Sequence, residues 1–569
     1  MKTQVVTMGP PTPLAEAIHK EKYRMEGESF EQAMYRIANA LKDGDEHYNT
    51  LKDILLDMRF LPGGRVQSAV GSPRVVTAYN CFVSGTIEDD STSIMQRATE
   101  AFQTMRCGGG IGYDFSRLRP RGDRIKSLDS KASGPVSFMG IYNAVCNTVC
   151  SAGHRRGAQM GVLRIDHPDI EEFVRAKQNA DNLTAFNISI GVTDRFMDAL
   201  LSGEAFPLTY GGEVYRYIDP TNLWEEIMRS TWDWAEPGVL FIDTINEYNN
   251  LYYCETIAAT NPCAEQPLPP NGACLLGSFN LAKYMVQLGD VWLFNYDLLY
   301  SDIPNVVRAM DNVVDRTYYP LEAQKTEAHN KRRMGLGVLG LANVGEALGY
   351  PYGSEAFLAF EDMILKRINK RCYMASIDLA KEKGRFPLYT HDYLAGGFIR
   401  TMDDEVVDGI IKYGIRNSHL TSIAPTGTIH NTAGCVSSGI EPPYSLEYDR
   451  DIAHFDGVKT YRATDYAFRE WGIRGRTADE VSVAEHLAVL STAQRNVDSA
   501  VSKTCNCGPN VSYEDFKNIY TQAWLTKCKG VSTFRSAGKR MGILRATEEP
   551  EKEAEACYID PSTGERSCG

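Results

Sequence analysis

An α/β fold is predicted for this chain, on two observations. From about Leu61 to about residue 545, short apolar runs, glycine turns and amphipathic stretches alternate, with no internal repeat and no obvious linker. The preceding residues lack that texture and read as helical. There Phe30, Met34, Ile37 and Leu41, then Leu51, Ile54 and Leu55, recur at helical spacing. Within the alternating span, Asn187-Ile-Ser-Ile-Gly191 is a strand candidate and Val306–Val314 a helix candidate. After residue 545 the texture changes again. Glu548-Glu-Pro-Glu-Lys-Glu-Ala-Glu555 is acidic and polar, and Cys557 and Cys568 follow it. Such a segment buries little apolar surface, so a flexible tail is expected. The predicted division is a helical N-terminal region over 1–60, the main α/β unit over 61–545 and a tail over 546–569.

The 569 residues are 43% hydrophobic, enough for a large core, and carry a formal net charge of −13. That balance argues against wrapping nucleic acid, which needs clustered Lys and Arg, but leaves room for a small nucleotide. No window approaches ~18 consecutive apolar residues, so no membrane span is expected. The first twenty residues lack the apolar run of a secretory signal. A reducing cytoplasm is therefore expected, where the 14 cysteines serve as thiols, ligands or redox catalysts.

The most informative stretch is Asn261-Pro-Cys263-Ala-Glu265-Gln-Pro-Leu268, with Cys274 eleven residues beyond Cys263. In an extended segment, residues two apart share a side, so Asn261, Cys263 and Glu265 are expected to line one face. A carboxylate beside a thiol raises the thiol pKa and disfavours the thiolate. The trio suits a thiol that reacts as a radical, with the carboxylate handling a hydroxyl proton. The bland alternative is a buried cysteine at a loop entry.

This stretch resembles the active-site finger loop of ribonucleotide reductases, and in wording the adenosylcobalamin-dependent class II. The resemblance extends to Tyr79-Asn-Cys81-Phe-Val83, to Gly108–Gly122 and to Ser133–Met139. It continues through Arg155-Arg-Gly-Ala-Gln-Met-Gly161, His167–Ile170 and Ala424-Pro-Thr-Gly-Thr428, all in the family's order. It implies a ten-stranded α/β barrel of two antiparallel five-stranded halves, the finger loop threading its centre and a small helical N-terminal region outside. It implies radical reduction of ribonucleoside di- or triphosphates to 2′-deoxyribonucleotides. Cys263 would carry the thiyl, Glu265 would be the base for the 3′-hydroxyl, and Asn261 a partner of the ribose or of Glu265. Cys81 and Cys274 would be the reducing pair, because loss of a hydroxyl as water takes two electrons, which a dithiol supplies on becoming a disulfide.

By the same resemblance Pro425, Thr426, Gly427 and Thr428 form a phosphate-binding turn, and Asn80 and Gly110 contact substrate. Asp89, Arg155 and Arg156 resemble parts of the specificity system, in which a dNTP or ATP effector acts at a dimer interface. Only about 60 residues precede the first catalytic motif, with no recognisable ATP-binding module. Base-specificity control without dATP shut-off is expected. Cys557 and Cys568 resemble shuttle thiols that pass electrons from a thioredoxin- or glutaredoxin-type reductant. Cys505, Cys507 and Cys528 are either ordinary thiols or a zinc cluster.

Class I members receive their radical from a ferritin-like metal subunit through adjacent tyrosines near the end of the barrel. The corresponding segment, Cys528–Arg535, places Thr533 and Phe534 there. Neither supports proton-coupled oxidation, which points to adenosylcobalamin; Tyr520 in a rewired path, and with it a class I subunit, is the alternative. A homodimer is expected, a monomer being the other possibility.

Overall fold

The computed structural model describes residues 9–126, 128–149, 158–179, 181–454, 457–508 and 510–535, with short strand fragments at 545–546, 558–559 and 566–567. The described chain opens with helices α1 (Pro13–Tyr23), α2 (Phe30–Leu41) and α3 (Asp45–Leu56). Thr12 caps α1, its hydroxyl accepting the Ala15 N–H, and Pro13 sits where its missing N–H costs nothing. A reciprocal Ser29–Gln32 capping box starts α2. The apolar residues read as one helical face, Phe30, Met34, Ile37 and Leu41, are all buried.

Ten strands position the site: β1 (Cys81–Val83), β2 (Gly110–Asp114), β3 (Gln159–Arg164), β4 (Phe186–Val192), β5 (Gly238–Phe241), β6 (Ala273–Cys274), β7 (Leu276–Asn280), β8 (Gly335–Leu339), β9 (Thr504–Cys507) and β10 (Gly530–Arg535). Eight of them form one sheet in the order β6-β1-β2-β3-β4-β5-β10-β9. β1 to β5 run parallel to one another, β10 lies antiparallel to β5, and β9 is parallel to β10. β7 and β8 pair in parallel in a separate three-stranded sheet whose other edge is Phe60–Pro62. Isolated parallel bridges join Leu336 of β8 to Thr421, and Ile423 to Val501 just before β9. The arrangement is mixed α/β, with pairing divided between two sheets rather than carried by one closed sheet. The strand candidate at 187–191 lies within β4, and the helix candidate at 306–314 within helix Tyr296–Arg316. No helix among the described residues is long and apolar enough to cross a membrane.

The period of two along each strand separates chemistry from packing. One face of β1–β5 sends Phe82, Ile111, Tyr113, Ile188, Ile190, Val239 and Phe241 into the main core under the helices. The opposite face contributes Val83, Met160, Val162 and Leu240 to a second, smaller core with Ala259, Leu268, Cys274 and Ala424, against which Cys81 and Ala264 pack. Small residues recur on that face because a loop must pass across it. A Cβ at Gly112 would collide with the Thr260 carbonyl.

Candidate active site

The loop crossing that inner face is a hairpin. Ala259–Thr260 pairs antiparallel with Pro267–Leu268, and residues 261–266 form the turn between them. The Asn261 N–H donates to Gln266 O (3.1 Å), and the Ala264 N–H to Asn261 O (3.0 Å). The Gln266 N–H donates to Asn261 Oδ1 at 3.0 Å. Ala264 takes a left-handed φ of 64°. The extended segment expected from the sequence is corrected here to a tight turn. The Asn261 side chain satisfies the backbone locally, as asparagine does in turns, and no neighbouring strand is needed.

The turn sorts its side chains. Asn261 and Glu265 are buried, whereas Cys263, expected inside a closed site, is exposed. Pro262 and Ala264 flank it, and all three face a cavity of about 270 Å3 whose wall includes Asn187, Ser189, Gly238, Pro425, Ser502 and Ser532. A thiol at the tip of a turn has no backbone of its own to cover it. One that must touch another molecule needs such a cavity. The hairpin is fastened from three sides. Asn187 Nδ2 donates to Pro262 O (3.2 Å), and Ser422 Oγ (2.9 Å) and the Ala500 N–H (3.0 Å) both donate to Glu265 O.

Cys81 and Cys274 are far apart in sequence and directly opposed in space, paired across the antiparallel β1–β6 contact. Opposed residues of such strands have Cα atoms about 4.5–5.5 Å apart. Disulfides span Cα separations of roughly 4.4–6.8 Å. The geometry thus brings the predicted pair within bridging reach, and both stand as thiols. Gly110 keeps the approach open, since a Cβ there would sit 3.3 Å from Cys81 Sγ and 3.2 Å from Pro262 Cγ.

Burial holds the Cys274 thiol well above the usual range, reinforced by Glu265, Cys81 and Cys263. All four groups therefore share one electrostatic neighbourhood. Burial pushes the Glu265 carboxyl up to about 7, with the Asn261 side chain pulling the other way. Asn80 Oδ1, Asn261 Nδ2, Glu265 Oε2 and both amide atoms of Gln266 are buried with no hydrogen-bond partner among the described residues. Unpaired buried polar atoms are costly, and three of these residues, Asn261, Glu265 and Gln266, belong to the hairpin, where another molecule can supply the partners.

Of the remaining predicted residues, Pro425 reaches the cavity wall. Thr426 is buried with φ of 49°, its Oγ1 accepting the Gly439 N–H at 2.9 Å. Gly427 and Thr428 stay accessible at the head of helix Ile429–Thr432. Asp89 is paired with Arg119 at 2.5 Å. Arg155, Arg156, Cys557 and Cys568 lie outside the described residues. Among the described residues no group of three His, Cys, Asp or Glu converges as a metal site.

Gly530 and Ser532 of β10 line the cavity. Thr533, next along, points to the opposite face, where its Oγ1 lies 2.8 Å from Tyr520 Oη beneath the helices. Ser422, Asn187 and Ser532 escaped sequence reasoning because nothing local distinguishes them. Only pairing between distant strands brings them to the hairpin.

A profile of the ribonucleotide reductase barrel domain matches residues 79–466 and 474–534. A vitamin B12-dependent ribonucleoside-diphosphate reductase of Mycobacterium tuberculosis (strain CDC 1551 / Oshkosh) is 34% identical, the alignment covering 94% of this chain and 79% of that protein. A protein of the same name from Thermoplasma acidophilum is 33% identical over 94% of this chain and 71% of its own length. The ribonucleoside-diphosphate reductase subunit alpha of Chlamydia muridarum is 26% identical over 71% of this chain.

Proposed function

The chain belongs to the ribonucleotide reductase family, and from that premise we propose that it reduces ribonucleoside diphosphates to 2′-deoxyribonucleoside diphosphates with adenosylcobalamin as its radical source. One observation carries the assignment of roles: Cys81 and Cys274 are opposed across paired strands, and Glu265, Cys81 and the exposed Cys263 all act electrostatically on the buried Cys274 thiol. The preference for diphosphates rests on the names of the relatives. The cavity beside Cys263 fits a nucleoside-sized group, since glycine and serine side chains leave space and supply hydroxyls on its wall. Gly238, Ser189, Ser502, Gly530 and Ser532 would hold the adenosyl group of adenosylcobalamin, which would supply a hydrogen-abstracting equivalent beside the Cys263 thiol.

Cys263 then takes the 3′-hydrogen of the ribose as an atom. Glu265 accepts the 3′-hydroxyl proton, a role suited to a carboxyl that titrates near neutrality. The 2′-hydroxyl leaves as water, Cys81 and Cys274 supply two electrons and two protons on forming a disulfide, and Cys263 returns the hydrogen atom to C3′ as Glu265 returns the proton to the 3′-oxygen. Asn80 and Asn261 bind the ribose with their unpaired amide atoms, and Pro425–Thr428 receives the phosphates. The products are one deoxynucleotide, one water and one disulfide per ribonucleotide.

The closed ten-stranded barrel is part of this reading. The bridges at Leu336–Thr421 and Ile423–Val501 support it, as does the single residue separating β6 from β7. The same reading includes the division at residues 60 and 545, a homodimer, a cytoplasmic location, dNTP or ATP control through Asp89 and the Arg155–Arg156 stretch, and re-reduction through Cys557 and Cys568 by a thioredoxin- or glutaredoxin-type protein. The class I route finds no support at β10, where Thr533 turns away from the cavity. The test is ribonucleoside diphosphate reduction with dithiothreitol and adenosylcobalamin and no second protein. Turnover is expected. Silence until a ferritin-like metal subunit is added would overturn the choice of radical source.

A further inference from the structure

Helix α1 packs on the two short helices that adjoin the segments the proposed function assigns to substrate, Ile429–Thr432 directly after the Pro425–Thr428 turn and Gly64–Ala69 near Asn80. Toward its start, Leu14 and Ile18 share a buried cluster with Cys435, Tyr448, Ile452 and Ala463. Pro11 Cγ, just before the helix, lies 2.5 Å from where a Cβ on Gly434 would stand. Helix Ile429–Thr432 packs directly on α1 and is bonded back into the phosphate turn. The His430 N–H donates to Thr426 O and Asn431 Nδ2 to Gly427 O, both at 3.0 Å. Toward its end, Tyr23 lies over Gly64, where a Cβ would meet the ring at 2.8 Å. Helix Gly64–Ala69 packs on α1 as well. The next residue back, Gly63, lies against Asn80, since a Cβ on it would stand 3.1 Å from Asn80 Oδ1, so Gly63–Gly64 links the helix to the substrate side chain. Arg24 locks the last turn, donating to both Glu16 oxygens at 2.7 and 2.5 Å and to His19 Nδ1 at 3.0 Å.

We propose that α1 is a brace that fixes the Pro425–Thr428 turn relative to Asn80, making Leu14, Ile18 and Tyr23 positioning residues for nucleotide binding. The inference rests on the reading that those two segments hold the substrate. A helix of this length is a rigid rod about 16 Å long. Two contact points on one rod cannot drift independently, so the phosphate end and the ribose end of the site keep a fixed separation. Loosening the rod lowers the fraction of molecules in the binding-competent arrangement, and apparent affinity falls by that same fraction. Once nucleotide is bound the arrangement is restored, so the chemical step is spared.

The experiment compares Ile18→Ala and Leu14→Ala with Leu51→Ala, a control on α3 that is equally buried but belongs to the main core. In the full-length chain with adenosylcobalamin and dithiothreitol, the α1 variants should raise KM for cytidine diphosphate about tenfold and change kcat less than twofold. Leu51→Ala should lower the melting temperature comparably with KM unchanged. Tyr23→Ala should behave as Ile18→Ala. An unchanged KM in the α1 variants, or an equal rise in Leu51→Ala, overturns the brace. If Ile18→Ala does not fold, Ile18→Val decides, with a smaller rise expected in the same direction. Equilibrium binding of cytidine diphosphate separates the two claims. Wild type that binds but does not turn over defeats the proposed activity and leaves the brace to be judged on Kd; wild type that does not bind defeats both.

Discussion

Two buried polar clusters in this molecule look alike in composition and differ in pairing. Around Asp311, Arg332 Nε donates to Oδ1 at 2.8 Å, Arg416 Nε to Oδ2 at 3.2 Å, and Asn417 Nδ2 to Oδ1 at 2.8 Å. Arg332 also reaches both oxygens of Asp315 at 2.8 Å. Around Glu265, by contrast, the turn is held by backbone bonds at Asn261, Ala264, Glu265 and Gln266, while Glu265 Oε2, Asn261 Nδ2, Asn80 Oδ1 and the Gln266 amide find no partner among the described residues. Asp311 and Glu265 are about equally buried, so burial does not distinguish scaffold from site. Pairing does. A cluster that satisfies itself ties helix Tyr296–Arg316 to the segments entering β8 and residue 421. A cluster that leaves its donors and acceptors open is poised to receive them from a ligand.

The sharpest way to break this contrast is at the hairpin tip and the thiol pair. Cys263→Ala should reduce deoxynucleotide formation to background while the melting temperature stays near wild type, because an exposed side chain contributes little packing. Cys81→Ser should abolish multiple turnover with dithiothreitol, since the disulfide that closes each cycle cannot form. Sustained product formation by folded Cys263→Ala would remove the radical role, and by folded Cys81→Ser the dithiol role.

Glu265 offers a test in which function and stability move in opposite directions. Its carboxyl titrates near 7 in the folded protein, against about 4.3 when solvated. Below the solvated value it is neutral in both states and costs nothing. Between the two values the unfolded chain gives up its proton and the folded one retains it, so folding stability falls as pH rises, and the loss is complete above 7. The shift corresponds to about 4 kcal/mol. Glu265→Gln should therefore melt higher than wild type at pH 8 and similarly at pH 4. Wild-type kcat/KM should rise through pH 7 as the base form appears. The variant should lose that rise along with about 10²–10³-fold in rate. A variant no more stable than wild type at pH 8 would show that Glu265 is already paired.

Much of this was legible in the sequence. Asn261, Cys263, Glu265, Cys81 and Cys274 were all identified by motif, and α2 and β4 by the periodicity of their apolar residues. The conformation of the hairpin was not. Residues two apart share a face only if the chain is extended, and the Asn261 side chain diverts the backbone into a turn, which no periodicity registers. Nor was the inner face of β1–β5 legible as such. With both faces covered, the usual polar–apolar alternation vanishes, and only a size alternation such as Gly110-Ile111-Gly112-Tyr113 survives. The anchors Ser422, Ala500 and Asn187 depend on contacts across 75 or more residues, which local sequence does not encode.

On the paired side of the comparison the expected effects concern stability alone. Asp311→Ala leaves Arg332 and Arg416 short of a buried counter-charge and should cost about 3–5 kcal/mol. Measured by chemical denaturation, that loss should come with KM and kcat per folded molecule within twofold of wild type. A selective rise in KM would mean that the network shapes the substrate site and that the scaffold and site clusters are not separable.

The smallest effect is expected at Tyr520, which joins the comparison to the question of the radical source. Its hydroxyl and that of Thr533 satisfy each other on the outer face of β10, while Ser532 faces the Cys263 cavity from the inner face. Burial drives the phenol well above its ordinary pKa, so it keeps its proton. By the pairing criterion this is scaffold. Tyr520→Phe leaves the Thr533 hydroxyl buried and unpaired, at a cost of about 1–3 kcal/mol, and should leave turnover with adenosylcobalamin within twofold of wild type. Tyr520→Phe that folds and loses turnover would mean that an oxidising equivalent crosses β10 through this phenol, so a self-satisfied pair can be part of the chemistry. Retained turnover leaves the inner face of the strand as the one that reacts, and the outer face as the one that holds it in place.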